Sequence, residues 1–306
     1  MDIKKKIPLM PTRLMPGDKI GIAAPASHFD QEKFYRGIVV LESMGFRILV
    51  PDDLFSRKGY FAGQDTRRAD QLNSLFADRE IKAIICARGG FGSLRILSLL
   101  DYSSIRNNPK IFIGFSDIST ILLALYSKCG LITFHGPTVT TLRDATHETK
   151  EAMFSAFSSD RKLAIKLKKG VAIKPGLASG PVLGGNLATL SHLVGTPFEP
   201  CFTGHILLLE DLGEAPYRID RMLTHMKLAG CFNGLTGIIL GSFKDCGTLD
   251  EIYRIVEDVF KDNTIPILAG FDMGHGRDNI TIPMGLEATL DAGSHRLTFD
   301  KPATVL

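Results

Sequence analysis

The first half of the chain alternates short apolar runs with segments whose apolar residues recur every three or four positions. The apolar runs have little polar alternation, which is typical of strands buried on both faces. They lie at 19–24, 46–50, 82–87, 110–114 and 131–134. The intervening segments have the spacing of one helix face, and they lie at 30–44, 65–77, 91–100 and 117–128. Because strands that alternate with helices form right-handed crossovers, we predict an α/β domain with a parallel sheet over residues 1–142.

The second half has a different organisation. Residues 143–180 include a polar stretch and a segment rich in glycine and proline, and we predict a linker region there. Residues 181–306 contain five further apolar runs and two helical segments, which favours a smaller β-rich domain, barrel-like in shape. The runs lie at 205–210, 237–243, 265–271, 287–291 and 296–300, and the helical segments at 217–229 and 249–260.

The charge pattern and the cysteines narrow the classes of function. The chain has 36 basic and 33 acidic side chains, a net charge of +3, and its short lysine runs at 4–6 and 166–169 do not form the basic stripe of a nucleic-acid binder. No run approaches the ~18 apolar residues of a membrane-spanning helix, and the N-terminus lacks the apolar region of a signal peptide. Five scattered cysteines fit a reducing compartment. We therefore expect a cytoplasmic protein that binds neither nucleic acid nor membrane.

The strongest chemical signal is the turn Gly114-Phe115-Ser116-Asp117, which joins an apolar strand to a helix. A nucleophile elbow has this layout, because a sharp turn holds the hydroxyl clear of the sheet. The helix N-terminus that follows favours developing negative charge. The turn departs from the usual G-x-S-x-G pattern at Ile118, and a helix N-cap is the alternative role for Ser116.

A second glycine cluster, 88–92, also lies between a strand and a helix. Paired glycines at a strand end free backbone N–H groups to face a ligand, and an oxyanion hole needs two such donors. The backbone amides of Gly90 and Asp117 are the candidates. Phosphate binding is the alternative, although neither a G-x-G-x-x-G nor a G-x-x-x-x-G-K-[ST] pattern occurs.

A serine nucleophile needs a base. His275 lies between two glycines in a polar loop after an apolar run, and His135, at the end of the last run of the first half, is the second candidate. Asp272, His275 and Asp278 are the nearest approach to a metal-binding set, but three residues of one loop are a weak set, so we predict no metal and no cofactor.

The base in turn needs a carboxylate that orients it. Glu210, Asp211 and Glu214 follow a buried strand, and Glu210 continues the strand, which fixes the direction of its side chain. The chain order Ser, Glu, His is the order found in α/β-hydrolases. Glu214 stays open as the alternative to Glu210.

Eight further segments stand out along the chain. They are GIAAPAS, GYFAGQDTRRADQL, ARGGFGSLRIL, GFSD, HGP, GGNLATLSHLVGTPFEP, LLLEDLGEAPYRIDRML and GHGRDNITIPMG, in order from residue 21 to residue 285. Together they resemble the L,D-carboxypeptidase family of serine peptidases. The resemblance implies a flavodoxin-like N-terminal domain, a β-rich C-terminal domain and a homodimer. It maps a catalytic triad onto Ser116, Glu210 and His275, and the oxyanion donors onto the amides of Gly90 and Asp117.

The resemblance also implies a substrate. Typical members remove the terminal D-alanine from cytosolic murein tetrapeptide during cell-wall recycling, and one branch hydrolyses a peptide-nucleotide antibiotic instead, as in microcin C self-immunity. That branch often uses a tryptophan, which this chain lacks. Arg88 is our candidate for binding the terminal carboxylate of the peptide. A non-catalytic peptide or sugar binder and a nucleotide-dependent ligase or transferase are the alternatives from other classes.

Overall fold

The computed structural model describes residues 8–306, which form two β-sheets covered by α-helices. The strands of the first sheet are β1 (Lys19–Ala23), β2 (Arg47–Leu49), β3 (Ile81–Cys86), β4 (Ile111–Gly114), β5 (Thr133–His135) and β12 (Ile282–Met284). The strands of the second are β6 (Ala164–Lys166), β7 (Val171–Lys174), β8 (Leu177–Asn186), β9 (Ile206–Leu212), β10 (Gly237–Lys244), β11 (Ile267–Ala269), β13 (Glu287–Asp291) and β14 (Arg296–Phe299). The helices are α1 (Gln31–Ser43), α2 (Asp65–Ala77), α3 (Tyr102–Asn107), α4 (Ser119–Cys129), α5 (Val139–Leu142), α6 (His147–Ser158), α7 (Leu187–Ser191), α8 (Pro216–Leu228) and α9 (Leu249–Val259).

The first sheet has the order β12-β5-β4-β3-β1-β2, and β1 to β5 are parallel. The order β2-β1-β3-β4-β5 is the flavodoxin-like order, which opens a crevice at the carboxyl ends of β1 and β3. This confirms the predicted α/β fold class. Strand β12 pairs antiparallel with β5 at the edge of the sheet. An edge strand tolerates Pro283, but so short a strand containing a proline leaves little signal in the sequence.

The helices of the first half start and end close to their predicted positions, with one exception. Residues predicted as a helix at 91–100 form a 3₁₀ helix, Ser93–Leu99, and α3 follows it. Apolar spacing alone does not separate these two helix types, because both place residues three apart on one side.

The second sheet is mixed, with the order β6-β14-β13-β8-β9-β10-β11-β7. Its longest strand, β8, begins in the predicted linker region 143–180 and continues into the predicted C-terminal domain, in a glycine-rich segment that was not predicted as a strand. These glycines are needed where backbones approach closely: a Cβ on Gly184 would lie 2.0 Å from the carbonyl oxygen of Leu208, and one on Gly180 would lie 2.3 Å from that of Gly204. Glycine therefore marks tight strand packing here rather than a loop.

The predicted linker region 143–180 is also structured. It contains α6 and strands β6 and β7, and both strands belong to the second sheet. The predicted C-terminal domain, 181–306, in turn supplies β12 to the first sheet. The two strands gave no signal in the sequence because short edge strands have too few residues for a periodic pattern. The domain limits themselves stay a prediction.

Helix α4 joins the two sheets next to the candidate active site. A Cβ on Gly185, near the end of β8, would lie 2.4 Å from Oγ of Ser119, the first residue of α4. The backbone N–H of Asn186 donates a hydrogen bond to the same hydroxyl at 3.2 Å. The apolar residues of α4 are buried in one core with those of β8 and β9. This contact brings the carboxyl end of β9 close to the turn after β4.

Candidate active site

Ser116 lies in a sharp turn between β4 and α4. Its φ of +63° is in the left-handed region, one of three such non-glycine residues within 8–306. This conformation is strained for a residue with a Cβ, and strain of this kind is typical of nucleophile elbows. A Cβ on Gly89 would lie 3.0 Å from Cβ of Ser116, so a side chain at position 89 would crowd the turn that carries the nucleophile. The N-cap of α4 is Ile118, not Ser116, and the predicted alternative role of Ser116 as its cap is therefore wrong.

Hydrogen bonds between Asp117, the residue after the nucleophile, and Ser93 hold the glycine turn after β3 beside Ser116. The Asp117 carboxylate accepts a hydrogen bond from the backbone N–H of Ser93 at 2.8 Å, and Oγ of Ser93 donates to the carbonyl of Asp117. Burial raises the pKa of Asp117, although the hydrogen bonds from Ser93 and the charge of Arg68 oppose this. These bonds fix the distance between the two predicted oxyanion amides. Among residues 8–306, no hydrogen bond uses the backbone N–H of Gly90 or of Asp117.

Two further side chains hold the same glycine turn, and the sequence analysis did not identify them. Oγ of Ser27, which follows β1, accepts a hydrogen bond from the N–H of Phe91 at 3.0 Å. The guanidinium of Arg68 is almost fully buried and donates to the carbonyls of Pro25 and Gly92. Ser27 could have been found as a polar residue just after a buried strand, but Arg68 lies inside an ordinary helix pattern and gives no such signal.

On the other side of the site, the partly exposed His275 is paired with the buried Glu210. Nδ1 of His275 lies 2.7 Å from Oε2 of Glu210, which also accepts the backbone N–H of His275 at 3.2 Å. The Glu210 side chain is 0 % exposed. A Cβ on Gly274 would lie 2.2 Å from the same carboxylate oxygen, and Gly274 has a φ of +89°, so the loop requires glycine here. Of the two carboxylates left open by the sequence, Glu210 is the one in contact with His275.

The Glu210 charge sets the protonation of His275. Burial alone would lower the pKa of His275, but the hydrogen bond with Glu210 and the negative charges of Glu210 and Asp211 outweigh it. The pKa of His275 therefore lies above its usual value. A donated Nδ1–H leaves Nε2 as the proton acceptor, which is the tautomer that a general base requires.

The loop that carries His275 is anchored by the region predicted to be a linker. The backbone N–H of Gly274 donates to Oδ1 of Asn279 at 2.9 Å, and the N–H of Asn279 donates to the hydroxyl of Thr149 at 3.1 Å. The hydroxyl of Thr146 donates to the carboxylate of Asp278. Helix α6 therefore helps to position the imidazole.

Ser116 and His275 line the same cavity, of about 250 Å³. Gly90 and Asp117 line it too, and so does Glu214, whose carboxylate lies 3.4 Å from the guanidinium of Arg218. With Asp211, which also lines it, the cavity therefore collects six of the residues that the sequence analysis considered. Glu210 lies beneath it, behind His275.

Arg88 is not among the residues that line this cavity. It is exposed, and its guanidinium donates to the carbonyl of His28 at 2.9 Å. This position gives no support to the predicted role of Arg88 in binding a terminal carboxylate. The second candidate base, His135, is fully buried and also lies outside the cavity lining.

Within residues 8–306, no three side chains of His, Cys, Asp or Glu are grouped in a way that could hold a metal ion. None of the described helices has the length and apolar character needed to cross a membrane.

Two family models match the chain. The LD-carboxypeptidase N-terminal domain matches residues 20–136, and the LD-carboxypeptidase C-terminal domain matches residues 179–290. The protein belongs to the LD-carboxypeptidase family. This confirms the resemblance seen in the sequence motifs.

Individual members of the family are similar over nearly their whole length. A probable murein peptide carboxypeptidase of Bacillus subtilis is 36% identical over 290 residues, which covers 92% of this chain and 91% of the relative. The murein tetrapeptide carboxypeptidase of Pseudomonas aeruginosa is 32% identical and covers 91% and 94% of the two chains. A solved structure of the microcin C7 self-immunity protein MccF matches with a TM-score of 0.91 at 27% identity, covering 97% of this chain and all of that one. The LD-carboxypeptidase described here is thus a hydrolase that acts on peptide bonds.

Proposed function

We propose that this protein is a serine L,D-carboxypeptidase that removes the terminal D-alanine from murein tetrapeptide, with Ser116 as nucleophile, His275 as general base and Glu210 as the acid of the triad. The proposal rests mainly on one observation: a buried Glu210 carboxylate holds Nδ1 of His275 at 2.7 Å, while His275 and Ser116 line one cavity.

The reaction begins when Nε2 of His275 takes the proton of the Ser116 hydroxyl, which attacks the carbonyl before the terminal residue. The buried charge of Glu210 stabilises the imidazolium that results. His275 then gives this proton to the leaving amine, and D-alanine departs from an acyl-enzyme. Water, deprotonated by the same imidazole, releases the shortened peptide and restores Ser116.

The negative charge on the carbonyl oxygen is held by the backbone amides of Gly90 and Asp117. Their unused N–H groups and the bonds between Asp117 and Ser93 support this role. A donor fixed before the reaction needs no reorganisation as charge develops, and removing one such donor typically slows catalysis about 10²–10³-fold.

A murein peptide is favoured as the substrate by the name of the relative in Bacillus subtilis, and the tetrapeptide by that of the relative in Pseudomonas aeruginosa. The corresponding cellular role is cell-wall recycling in the cytoplasm. The five scattered cysteines, which form no C-x-x-C pair, support a reducing compartment. We also propose that the protein works as a homodimer, which light scattering in solution tests.

A peptide-nucleotide of the microcin C type is the second candidate substrate, favoured by the match to the MccF structure. The absence of tryptophan from the chain weighs against it, since that branch often uses tryptophan to hold the nucleotide.

Mass spectrometry after incubation with each substrate tests the proposal. Purified murein tetrapeptide should lose one alanine with the wild-type protein and none with Ser116→Ala. Cleavage of the peptide-nucleotide alone would assign the second substrate. Cleavage of neither, with no labelling of Ser116 by a fluorophosphonate, would contradict a serine peptidase and leave a non-catalytic binder.

A further inference from the structure

His135 lies beneath the candidate active site with its imidazole fully buried. It ends β5, beside Gly114 of β4, and its ring packs edge-on against Phe115 with the ring centroids 6.0 Å apart. Among residues 8–306, neither ring nitrogen of His135 has a hydrogen-bond partner. A buried polar group without a partner is destabilising, so its presence in a native structure calls for an explanation.

A second unpartnered atom faces this imidazole. Oε1 of Glu210 lies 4.0 Å from Nε2 of His135, and it too has no hydrogen-bond partner within the described chain. The other carboxylate oxygen of Glu210 is already engaged by His275. Both side chains are 0 % exposed. An unused acceptor and an unused imidazole nitrogen are thus enclosed together, away from solvent.

The protonation state of His135 suits a donor. Burial lowers the pKa of His135 to about 4, with the charge of Glu210 opposing this and that of His275 adding to it. The ring is therefore neutral near pH 7. A neutral imidazole has one N–H to donate, and a carboxylate oxygen can only accept.

We propose that His135 is a positioning residue that donates its Nε2–H to Oε1 of Glu210 and so keeps Oε2 directed at His275. The 4.0 Å separation exceeds a hydrogen bond by about 1 Å, so the proposal requires one of the two side chains to move by that amount. Glu210 then has both oxygens engaged and one orientation. His135 itself touches no substrate, because it lies outside the cavity lining.

This inference rests on the proposed triad, and a matched pair of variants tests it. Glutamine at position 135 keeps an amide N–H near the place of Nε2, whereas methionine has a similar length and no donor. The rate at which a fluorophosphonate labels Ser116 reports activation of the nucleophile without any assumption about the peptide substrate. We expect His135→Met to slow labelling about tenfold to a hundredfold, the effect of losing a hydrogen bond to a charged group, and His135→Gln to stay within about threefold of wild type.

The same variants in a Glu210→Ala background separate a positioning role from general damage. If His135 acts through Glu210, His135→Met should slow labelling less than about twofold once the carboxylate is gone. Equal losses in both backgrounds, or equal rates for the glutamine and methionine variants, would overturn the proposal. His135→Leu replaces the methionine variant if thermal melting shows that the latter does not fold.

A second histidine provides the control. His205 immediately precedes β9 and contacts the hydroxyl of Tyr126 at 3.1 Å. It neither lines the cavity nor contacts the Glu210–His275 pair, so His205→Gln should label like wild type. Failure of the proposed function would be visible earlier and separately, because wild-type Ser116 itself would then not be labelled.

Discussion

The two sides of the candidate active site are built in different ways. The nucleophile side is local: Ser116 is held by backbone conformation in a single strand-turn-helix segment, with a φ of +63° and Gly89 close to its Cβ. The base side joins two residues 65 positions apart, Glu210 and His275, through a buried carboxylate. Backbone geometry does not titrate, whereas a histidine–carboxylate pair depends on protonation and on every contact that orients it. Substitutions on the base side should therefore change the pH dependence of activity, whereas substitutions on the nucleophile side should not.

The largest expected effect is at the nucleophile. Ser116→Ala should lower kcat about 10⁴–10⁶-fold, since no other group replaces the hydroxyl. Ser116→Gly should be equally inactive but more stable than Ser116→Ala by about 1 kcal/mol, because glycine adopts a positive φ without strain. Peptide hydrolysis assays and thermal unfolding measure the two quantities. Equal stability of the two variants would argue against a strained turn.

The next effect concerns the charge at Glu210. Glu210→Gln should lower kcat about 10³–10⁴-fold, since an amide neither holds the required tautomer nor stabilises the imidazolium.

The pH dependence of activity tests the same pair. His275 must be neutral to act as a base, so kcat/KM of the wild type should rise with pH. The midpoint of this rise should lie above the ordinary histidine pKa of about 6.5. In Glu210→Gln the midpoint should move to lower pH. A midpoint that stays in place would show that the carboxylate does not govern His275.

The same pair links stability to pH. Because the pKa of His275 is raised in the folded protein, its contribution to stability is fully present below the unfolded pKa and is lost as pH rises through the folded pKa. Urea unfolding across this range should show the loss in wild type and not in Glu210→Gln. Ser116→Ala, on the other side of the site, should retain the wild-type pH dependence.

A glycine on the base side gives a smaller effect. Gly274→Ala would place a Cβ 2.2 Å from Oε2 of Glu210 at a φ of +89°, so the carboxylate must move. We expect kcat to fall about 10²-fold, the scale of a 1 Å misplacement. Gly276→Ala is the matched control in the same loop: its Cβ would meet nothing closer than 3.3 Å and its activity should change little. Similar losses in both variants would mean that the loop, and not Glu210, is being disturbed.

The smallest effect on activity is expected for a change at Ser93, which links the segments of the two predicted oxyanion amides. Ser93→Ala removes the hydroxyl that bonds the carbonyl of Asp117 and lies 2.7 Å from Oγ1 of Thr120. It should cost about 1 kcal/mol of stability, measured by urea unfolding, and lower kcat less than tenfold, because the bond to the Asp117 carboxylate comes from the backbone. Ser43→Ala, on an exposed hydroxyl of α1, is the control and should leave both quantities unchanged.

The same contrast explains how much could be predicted from the sequence. The turn at Ser116 and the glycine turn at Gly90 are each one continuous segment that follows an apolar strand. The strand-turn-helix pattern of the sequence was therefore enough to locate both turns and to predict the parallel sheet. His275 and Glu210 were found by their position after apolar runs, but the choice between Glu210 and Glu214 needed the fold, because it depends on which side chain faces the loop at Gly274.

Other features had no readable signal. Strand β8 was missed because its glycines serve close backbone contacts that only the paired strand reveals. Strand β12 was missed because it is only three residues long and pairs with β5, which lies far from it in the sequence. Arg68 lies within an ordinary helix, and its role depends on two carbonyls that the fold brings together.

The central claim is that His275, held by Glu210, activates Ser116. Mapping the site of a fluorophosphonate adduct, together with its rate of formation, tests this claim most directly. Peptide mass spectrometry of the labelled wild-type protein should place the adduct on Ser116, and the labelling rate of His275→Ala should fall at least about a hundredfold with folding intact. An adduct on another residue, or an unchanged rate in His275→Ala, would contradict the account.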